Sequence, residues 1–247
     1  MIKNEYMIRL LSLSTFVIVW QASSIMLNSA VFPTPVDVLG SLYTHTFKGE
    51  LLYHLGITLQ RVCIAFFIAM FIGISFGIVM GRYKRVDSFF DPLLVFGLNL
   101  PALVTIILCY IWFGLTDIAA ILAVIINKVP NVIVVIREGA KAVDRELMQI
   151  ASVYKLNKKD TFFKVYLPQI YPYVIASARN GLALIWKIVL VVELLGRSDG
   201  IGFQLSMFFQ FFDITSILAY AIAFMIIVLF IEAFILRPIE IKTSSWR

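Results

Sequence analysis

The sequence has 247 residues, of which 61% are hydrophobic and only 15% are charged. Soluble domains carry roughly 25% charged residues, so the composition excludes a water-soluble globular protein and indicates an integral membrane protein. The formal net charge of +6 does not indicate nucleic-acid binding. Most of the basic residues lie in short gaps between apolar runs, where lipid headgroups and membrane orientation explain them.

Six apolar runs are long enough to cross the hydrocarbon core of a bilayer, which takes roughly 20 helical residues. The first run follows a charged N-terminus and is also compatible with a signal peptide, but its length and the poor cleavage site LNSA favour a retained helix. The sequence therefore predicts an all-α integral membrane protein with about six transmembrane helices. The runs lie at about residues 8–28, 57–80, 92–113, 117–136, 170–195 and 214–236.

The basic residues predict the orientation of these helices, because loops rich in Lys and Arg stay on the cytoplasmic side. Both ends of the chain and the gaps after the second and fourth runs hold fifteen of the 21 basic residues. Both termini and the long segment after the fourth run are therefore expected in the cytoplasm. The fifteen residues are Lys3, Arg9, Arg82, Lys84, Arg85, Arg137, Lys141, Arg145, Lys155, Lys158, Lys159, Lys164, Arg237, Lys242 and Arg247.

We divide the chain into three parts. Residues 1–31 form an N-terminal tail and the first transmembrane helix, residues 32–56 an extracytoplasmic segment with an amphipathic helix, and residues 57–247 the core membrane domain. The core includes a cytoplasmic loop at 137–168 and, at 201–213, a short interfacial or re-entrant helix rich in aromatic residues. Small residues at four-residue spacing in the second run predict close packing of a neighbouring helix, and they are Gly73, Gly77 and Gly81.

Residues 144–168 are expected to form two short helices on the cytoplasmic side. Asp144 is a candidate N-cap of the first helix and Asn157 is expected to end it, while Asp160 is expected to cap a second helix that runs to Pro168. The first helix has one apolar face at the spacing i, i+3, i+4 and i+7, formed by Leu147, Ile150, Ala151 and Tyr154. Such a helix either lies on the bilayer or places its apolar face in the groove of a soluble partner, and periodicity leaves both open.

Ionisable residues inside a membrane are costly and suggest function. The fifth run has three candidates at seven-residue spacing, Arg179, Trp186 and Glu193, which therefore share one helix face. This face can border a solute pathway. Lys187 lies about 100° around the helix from Trp186. The alternative is an internal Arg–Glu or Lys–Glu pair that joins helices. For Lys128 and Glu232 in the fourth and sixth runs, a structural partner or snorkelling to the interface is favoured. Three further residues, in the third run, line a pathway or mark a helix kink: Asn99, Pro101 and Thr105.

His45 and His54 fall in the outer segment without a third ligand nearby, so both are expected to be solvated or interfacial. Cys63 and Cys109 lie within apolar runs without a Cys or His neighbour at metal-ligand spacing. No metal site, disulfide or cofactor is therefore expected. An intramembrane enzyme is disfavoured, because no histidine lies in a predicted span and Asp is absent from span interiors.

The chain resembles the inner-membrane permeases of ATP-binding-cassette importers, and most closely the nitrate, sulfonate and taurine type. The family loop pattern is E-A-A-x3-G-x9-I-x-L-P. Here Gln149, Ile150 and Ala151 stand at its start, Lys155 at the glycine, and VYLP (165–168) at its end. The other matches are FPTPVDVL (32–39), Thr58 and Arg61 in TLQRV, GIVMG (77–81), DPLL (91–94), LPA (100–102), IWFG (111–114), Arg179 through Trp186-Lys187 to Glu193, Gly200-Ile201-Gly202, Glu240 and Trp246.

The resemblance implies a multi-pass permease of the bacterial cytoplasmic membrane, paired with a second copy as a homodimer. Two ATPase subunits would bind its cytoplasmic loops, and an extracytoplasmic substrate-binding protein would deliver a small anionic solute. The sequence contains no G-x-x-x-x-G-K-[ST] loop, so ATP must be handled by a partner chain. An ATP-independent carrier or channel is the alternative. The residues expected to couple to the ATPase are Leu147, Gln149, Ile150, Ala151, Tyr154, Lys155, Leu167 and Pro168.

Overall fold

A computed structural model describes residues 2–29, 31–236 and 238 of the protein, and the regular structure within these residues is entirely helical. This confirms the predicted all-α class. Arg237, Lys242, Arg247, Glu240 and Trp246 lie outside the described residues. The helices are α1 (Ile2–Leu27), α2 (Pro35–Phe47), α3 (Leu51–Arg82), α4 (Lys84–Asn99), α5 (Ala102–Phe113), α6 (Asp117–Lys141), α7 (Arg145–Val153), α8 (Lys158–Asp160), α9 (Leu167–Gly196), α10 (Ile201–Gln210) and α11 (Ile214–Ile231).

Four helices are long and apolar enough to cross a membrane: α3, α6, the continuous helix Lys158–Gly196 that contains α9, and Ile214–Phe234 that contains α11. Helices α4 and α5 pass the same test only as a pair, and they are bent by 96° at their junction. In α1 a shorter stretch, Leu11–Leu27, is apolar. All six predicted runs therefore fall on helices, but the third run is not one straight span.

The bend between α4 and α5 follows from the sequence LPA. Proline has no amide hydrogen to donate, and it drives the preceding residue out of the helical region. Leu100 accordingly has a ψ of 120°, and Pro101 has a ψ of 130°. The predicted kink at Pro101 is therefore a complete break, and α5 starts anew after it.

The core of the molecule is a three-helix contact of α3, α6 and α9. A side-chain carbon on Gly77 would lie 2.7 Å from Cβ of Ile136, and carbons on Gly73 and Gly81 would overlap Val132 and Ala140 in the same way. Glycine at these three positions thus lets α6 approach the backbone of α3, as the spacing predicts. Methyl and β-branched side chains of α6 fill the space.

Helix α2 begins at a capping box, in which Thr34 and Asp37 each bond the other's backbone amide. It packs on α11, where His45 Nε2 lies 3.0 Å from Oγ of Ser216. Helix α3 begins at Leu51, within the predicted extracytoplasmic segment 32–56.

Helices α3 and α6 run parallel, so their first and last turns define two ends of the bundle. Gly81 meets Ala140 at one end, where α7 also lies, and we call this the α7 end. Arg61 meets Asp117 at the other end, beside α10, and we call this the α10 end.

Candidate docking helix and buried polar network

Helix α7 has defined caps at both of its ends. The Asp144 side chain accepts a hydrogen bond of 2.7 Å from the amide of Glu146, as the sequence predicts. At the other end the amide of Leu156 donates to the Ala151 carbonyl at 3.0 Å, and that of Lys155 donates to the Ser152 carbonyl at 2.9 Å. This bond pair is a Schellman motif. Its left-handed residue is Lys155, with φ of +50°, at the position where the family loop has glycine.

The apolar face predicted for α7 divides into two parts. Leu147, Ile150 and Tyr154 are 44%, 50% and 78% exposed, so they form an apolar surface that the chain itself leaves uncovered. Ala151 is only 2% exposed, and α7 packs against the π-helical turn at residues 161–166. Ala151 therefore does not belong to the exposed surface, although its spacing places it beside Ile150.

The second predicted helix differs from expectation at both ends. Asn157, expected to end the first helix, instead caps the second by accepting from the amide of Asp160 at 2.7 Å, so the prediction that Asp160 is the cap was wrong. The helix also does not stop at Pro168 but continues to Gly196. A π-helical turn, Thr161–Tyr166, precedes Pro168, and its wider hydrogen-bond spacing lets the helix continue past a residue that has no amide hydrogen to donate. Leu167 is half-buried and Pro168 exposed at this junction.

Gln169 joins α7 to the long helix Lys158–Gly196. Its Oε1 accepts from the amide of Asp144 at 2.8 Å, and its Nε2 donates to the Val165 carbonyl at 2.8 Å. The N-terminus of α7 is thus hydrogen-bonded to the helix that crosses the membrane. A nearby cluster joins α6 to α4, with Arg137 Nη1 at 2.6 Å from Asp91 and Lys141 Nζ at 2.8 Å from Asp87.

A buried polar network occupies the α10 end, and the guanidinium of Arg61 lies at its centre. Arg61 is 4% exposed and Glu193 is fully buried. Nη1 of Arg61 lies 2.8 Å from Oε1 of Glu193, and Nε lies 2.8 Å from Oδ1 of Asp117. Nη2 also pairs with the Asp199 carboxylate. One side chain of α3 is therefore tied to α6, to α9 and to the loop after α9.

The second oxygen of Glu193 is also fully bonded. Oε2 accepts from Oγ1 of Thr58 and from the amide of Gly202, each at 2.9 Å. The amide of Ile201 donates to Oγ1 of Thr58 at 2.8 Å, so the segment Gly200–Ile201–Gly202 wraps around the carboxylate. A side chain at Gly200, whose φ is +100°, or at Gly202 would overlap Glu193.

His54 belongs to the same network. The amide of Gly200 donates to its Nδ1 at 3.0 Å, and its Nε2 lies 2.7 Å from Nε2 of Gln204. The residue is only 3% exposed, so the prediction that His54 is solvated was wrong. His45 is half-buried.

The predicted pathway residues do not form one group. Glu193 and Trp186 are buried between helices, with Trp186 edge-on to Phe224 at 5.6 Å between ring centroids. In this conformation neither side chain is exposed to solvent. Arg179 lies 3.5 Å from Glu232, while Lys187 is exposed on α9. The structural alternative, an internal ion pair, therefore fits Glu193, but its partner is Arg61 and not a residue of the fifth run.

The residues at the break between α4 and α5 are likewise spread out. Asn99 and Pro101 are exposed, and Nδ2 of Asn99 donates to the Val95 carbonyl at 2.8 Å. Thr105 is buried and bonds the Pro101 carbonyl at 3.3 Å. Sequence reasoning missed the roles of Asp117 and Asp199, because their partner Arg61 is distant along the chain and no local pattern signals the contact.

The chain is similar to known transport proteins over most of its length. The family model described as binding-protein-dependent transport system inner membrane component matches residues 69–237. The chain is 28% identical to a putative aliphatic sulfonates transport permease protein of Bacillus subtilis, covering 95% of this chain and 85% of the relative. It is also 28% identical to a taurine transport system permease protein of Escherichia coli, covering 92% and 84%.

A solved structure shares the fold. The crystal structure of an amino acid ABC transporter with histidines superposes with a TM-score of 0.65 at 20% sequence identity. The match covers 81% of this chain and 97% of that chain.

Proposed function

The chain belongs to the family of binding-protein-dependent transport system inner membrane components, and we propose that two copies of it form the pathway through which an importer moves a small oxyanion. It is a multi-pass permease subunit of an ABC importer in the inner membrane, and ATP hydrolysis belongs to a separate subunit. The ATPase copy number, the homodimer and the solute are parts of the proposal.

The exposed surface of α7 carries the proposal. A nine-residue helix with caps at both ends presents Leu147, Ile150 and Tyr154 to solvent, while Ala151 anchors it from the inner side. An amphipathic helix of this kind fits a hydrophobic groove on a soluble protein. We assign the groove to the ATPase subunit, with Gln149 and Lys155, both exposed, at the rim of the contact.

The contacts of α7 supply a route for mechanical coupling. Gln169 links the start of α7 to the helix Lys158–Gly196, which at about 1.5 Å per residue is about 58 Å long. At its far end Glu193 is clamped to α3 and to α10 through Arg61 and Gly202. A displacement of α7 by the ATPase would therefore reach the opposite end of the bundle as a rigid-body motion.

The orientation in the membrane follows the basic residues. The α7 end holds Arg82, Lys84, Arg85 and the lysines after α7, so we place it in the cytoplasm, with the α10 end outside. An extracytoplasmic binding protein would then deliver solute to the α10 end. The names of the sulfonate and taurine relatives support a small oxyanion as that solute.

Substitution on α7 tests the proposal. Ile150→Glu places a charge in the centre of the surface that we assign to the ATPase, while Ile150→Leu keeps its apolar character. We expect affinity purification of Ile150→Glu to recover the permease without a stoichiometric ATPase, and that of Ile150→Leu to recover both. Since Ile150 is 50% exposed, neither change should lower the melting temperature. Recovery of equal ATPase with both variants would remove α7 from the interface.

A further inference from the structure

Lys128 occupies an unusual place for a charged residue. It is 3% exposed and lies near the middle of α6, eleven residues after Asp117 and thirteen before Lys141. At about 1.5 Å per residue, either end of the helix is about 17–20 Å away. The lysine stem cannot bridge that distance, so the snorkelling expected from the sequence does not occur.

The structural partner expected from the sequence is also absent. Among residues 2–29, 31–236 and 238, Lys128 makes no ion pair and no hydrogen bond. The carboxylates of the membrane helices are engaged elsewhere: Glu193 pairs with Arg61, Glu232 with Arg179, and Asp87 with Lys141. Among the residues that the structure describes, the ammonium is therefore a buried cation without a counter-ion.

The side chain of Lys128 lies across α9 at Gly181. A carbon built on Gly181 would fall 2.8 Å from Cε of Lys128 and 3.3 Å from its Nζ, and 4.0 Å from the ring of Phe66 on α3. The lack of a side chain at Gly181 makes room for the lysine between the three core helices.

A second unsatisfied polar group lies on the same face of α9. Ser177 precedes Gly181 by one helical turn, is 2% exposed, and its buried hydroxyl has no hydrogen-bond partner in the described residues. Residues four apart on a helix are neighbours, about 5–6 Å apart at Cβ. The cation and the hydroxyl therefore lie within about one turn of the same glycine.

An unpaired charge at this depth is costly and marks a functional site by default. An ammonium offers only hydrogen-bond donors, and a hydroxyl is free to donate as well. The ligand that satisfies both groups is a small group with negative charge and several acceptor oxygens. We propose that Lys128 and Ser177 form an oxyanion-binding site at mid-membrane, which holds the charged end of the solute during its passage between α6 and α9. This inference rests on the proposed transport of an oxyanion.

The site is closed in this conformation, because Lys128 and Ser177 are both buried by α3, α6 and α9. The solute reaches it when the helices separate, and rejoining of the helices returns the ammonium to apolar surroundings. Closure leaves no room for the anion, so release accompanies closure even though the closed, empty site leaves the ammonium poorly solvated. A site that changes its exposure in this way suits a transporter, whereas a permanently hydrated lysine would bind the anion in both states.

The test uses the complex of the permease with its ATPase, reconstituted into vesicles and supplied with the binding protein. Uptake of labelled taurine and nitrate is compared for the wild type, Lys128→Met, Lys128→Arg and Ser177→Ala, with Lys84→Met, at an exposed position, as control. We expect uptake to fall roughly tenfold or more in Lys128→Met and about threefold in Ser177→Ala, because a charge-assisted contact and a neutral one are lost. Lys128→Arg should retain part of the activity.

Thermal melting of the same complexes separates a binding role from a structural one. We expect Lys128→Met to melt at or above the wild-type temperature, because methionine removes an unpaired buried charge, and added taurine or nitrate to raise the melting temperature of the wild type alone. A lower melting temperature or loss of the dimer in Lys128→Met would instead assign Lys128 to a carboxylate of a second copy. Equal uptake by wild type and Lys128→Met would overturn the site but leave the transport function standing. An assembled wild-type complex that transports neither taurine nor nitrate would instead refute the proposed solute class.

Discussion

The most informative perturbation of the fold is the loss of Arg61. Its guanidinium contacts Glu193, Asp117 and Asp199 in a region where Glu193 has no exposed surface. Replacement by methionine keeps an unbranched apolar stem and removes the guanidinium. It leaves the Glu193 carboxylate buried with two hydrogen bonds, from Thr58 and Gly202, and no counter-ion.

Breaking a buried ion pair from one side costs about 3–5 kcal/mol, because an uncompensated charge remains. For a chain of this length the melting temperature falls by about 2–4 °C per kcal/mol, so Arg61→Met should melt roughly 6–20 °C lower than the wild type. Arg61→Met combined with Glu193→Gln should recover about 1–3 kcal/mol, because the amide oxygen still accepts from Thr58 and Gly202 and no buried charge remains.

Thermal unfolding of the detergent-purified chain, followed by circular dichroism, measures both effects. Asp117→Asn is the matched control, because the Asp117 side chain is 54% exposed and its pair with Arg61 is screened by solvent; it should change stability by no more than about 1 kcal/mol. Arg61→Met melting within 2 °C of the wild type would refute the reasoning. So would a double variant whose loss equals the sum of the two single losses, since close charges must couple.

Three further predictions follow from local geometry. Lys155→Gly should raise the free energy of unfolding by about 1 kcal/mol, because the φ of +50° at Lys155 strains any residue with a Cβ. Slower amide hydrogen exchange of residues 145–157 would show this gain. An unchanged exchange rate would contradict the backbone strain. Gly77→Val should lower the free energy of unfolding by at least about 1–3 kcal/mol, because its Cβ would lie 2.7 Å from that of Ile136. The control Gly56→Ala, with open space around it, should be neutral or stabilising. The melting temperatures of the two variants measure the difference. The predicted membrane orientation can be tested by cysteine labelling in a background of Cys63→Ala and Cys109→Ala. A membrane-impermeant maleimide added outside right-side-out vesicles should react with Lys48→Cys but not with Lys155→Cys. The reverse pattern would invert the orientation.

The positions of the membrane helices could be predicted from the sequence because hydropathy depends on local composition alone. The break at Leu100–Pro101 was harder, because an apolar run has the same hydropathy whether its helix is straight or bent by 96°. Proline marked the position, but the angle depends on how α4 and α5 pack against α6.

The polar contacts could not be predicted, because they join residues far apart in the chain. The seven-residue spacing placed Arg179, Trp186 and Glu193 on one face of a helix, yet periodicity does not show what lies opposite. Glu193 faces Arg61, 132 residues earlier. The same limitation applies to Ala151. The spacing of apolar residues places it on the apolar face of α7, but does not show that this part of the face is already buried within the chain, where α7 packs against the π-helical turn.

Lys128 shows most clearly what could not be predicted from the sequence. A lysine within an apolar run suggests either a partner or snorkelling, and the choice depends on the neighbours of its ammonium in three dimensions. Only the position of Gly181 beneath Nζ and the unsatisfied hydroxyl of Ser177 single it out.

The most direct test of the central claim is purification of the tagged chain from its native membrane in mild detergent, followed by reconstitution and solute uptake with and without ATP. We predict that a stoichiometric ATPase with a phosphate-binding loop copurifies, and that taurine or nitrate accumulates only when ATP and the binding protein are supplied. A chain that purifies alone and moves solute in ATP-free vesicles would contradict the account and establish an ATP-independent carrier.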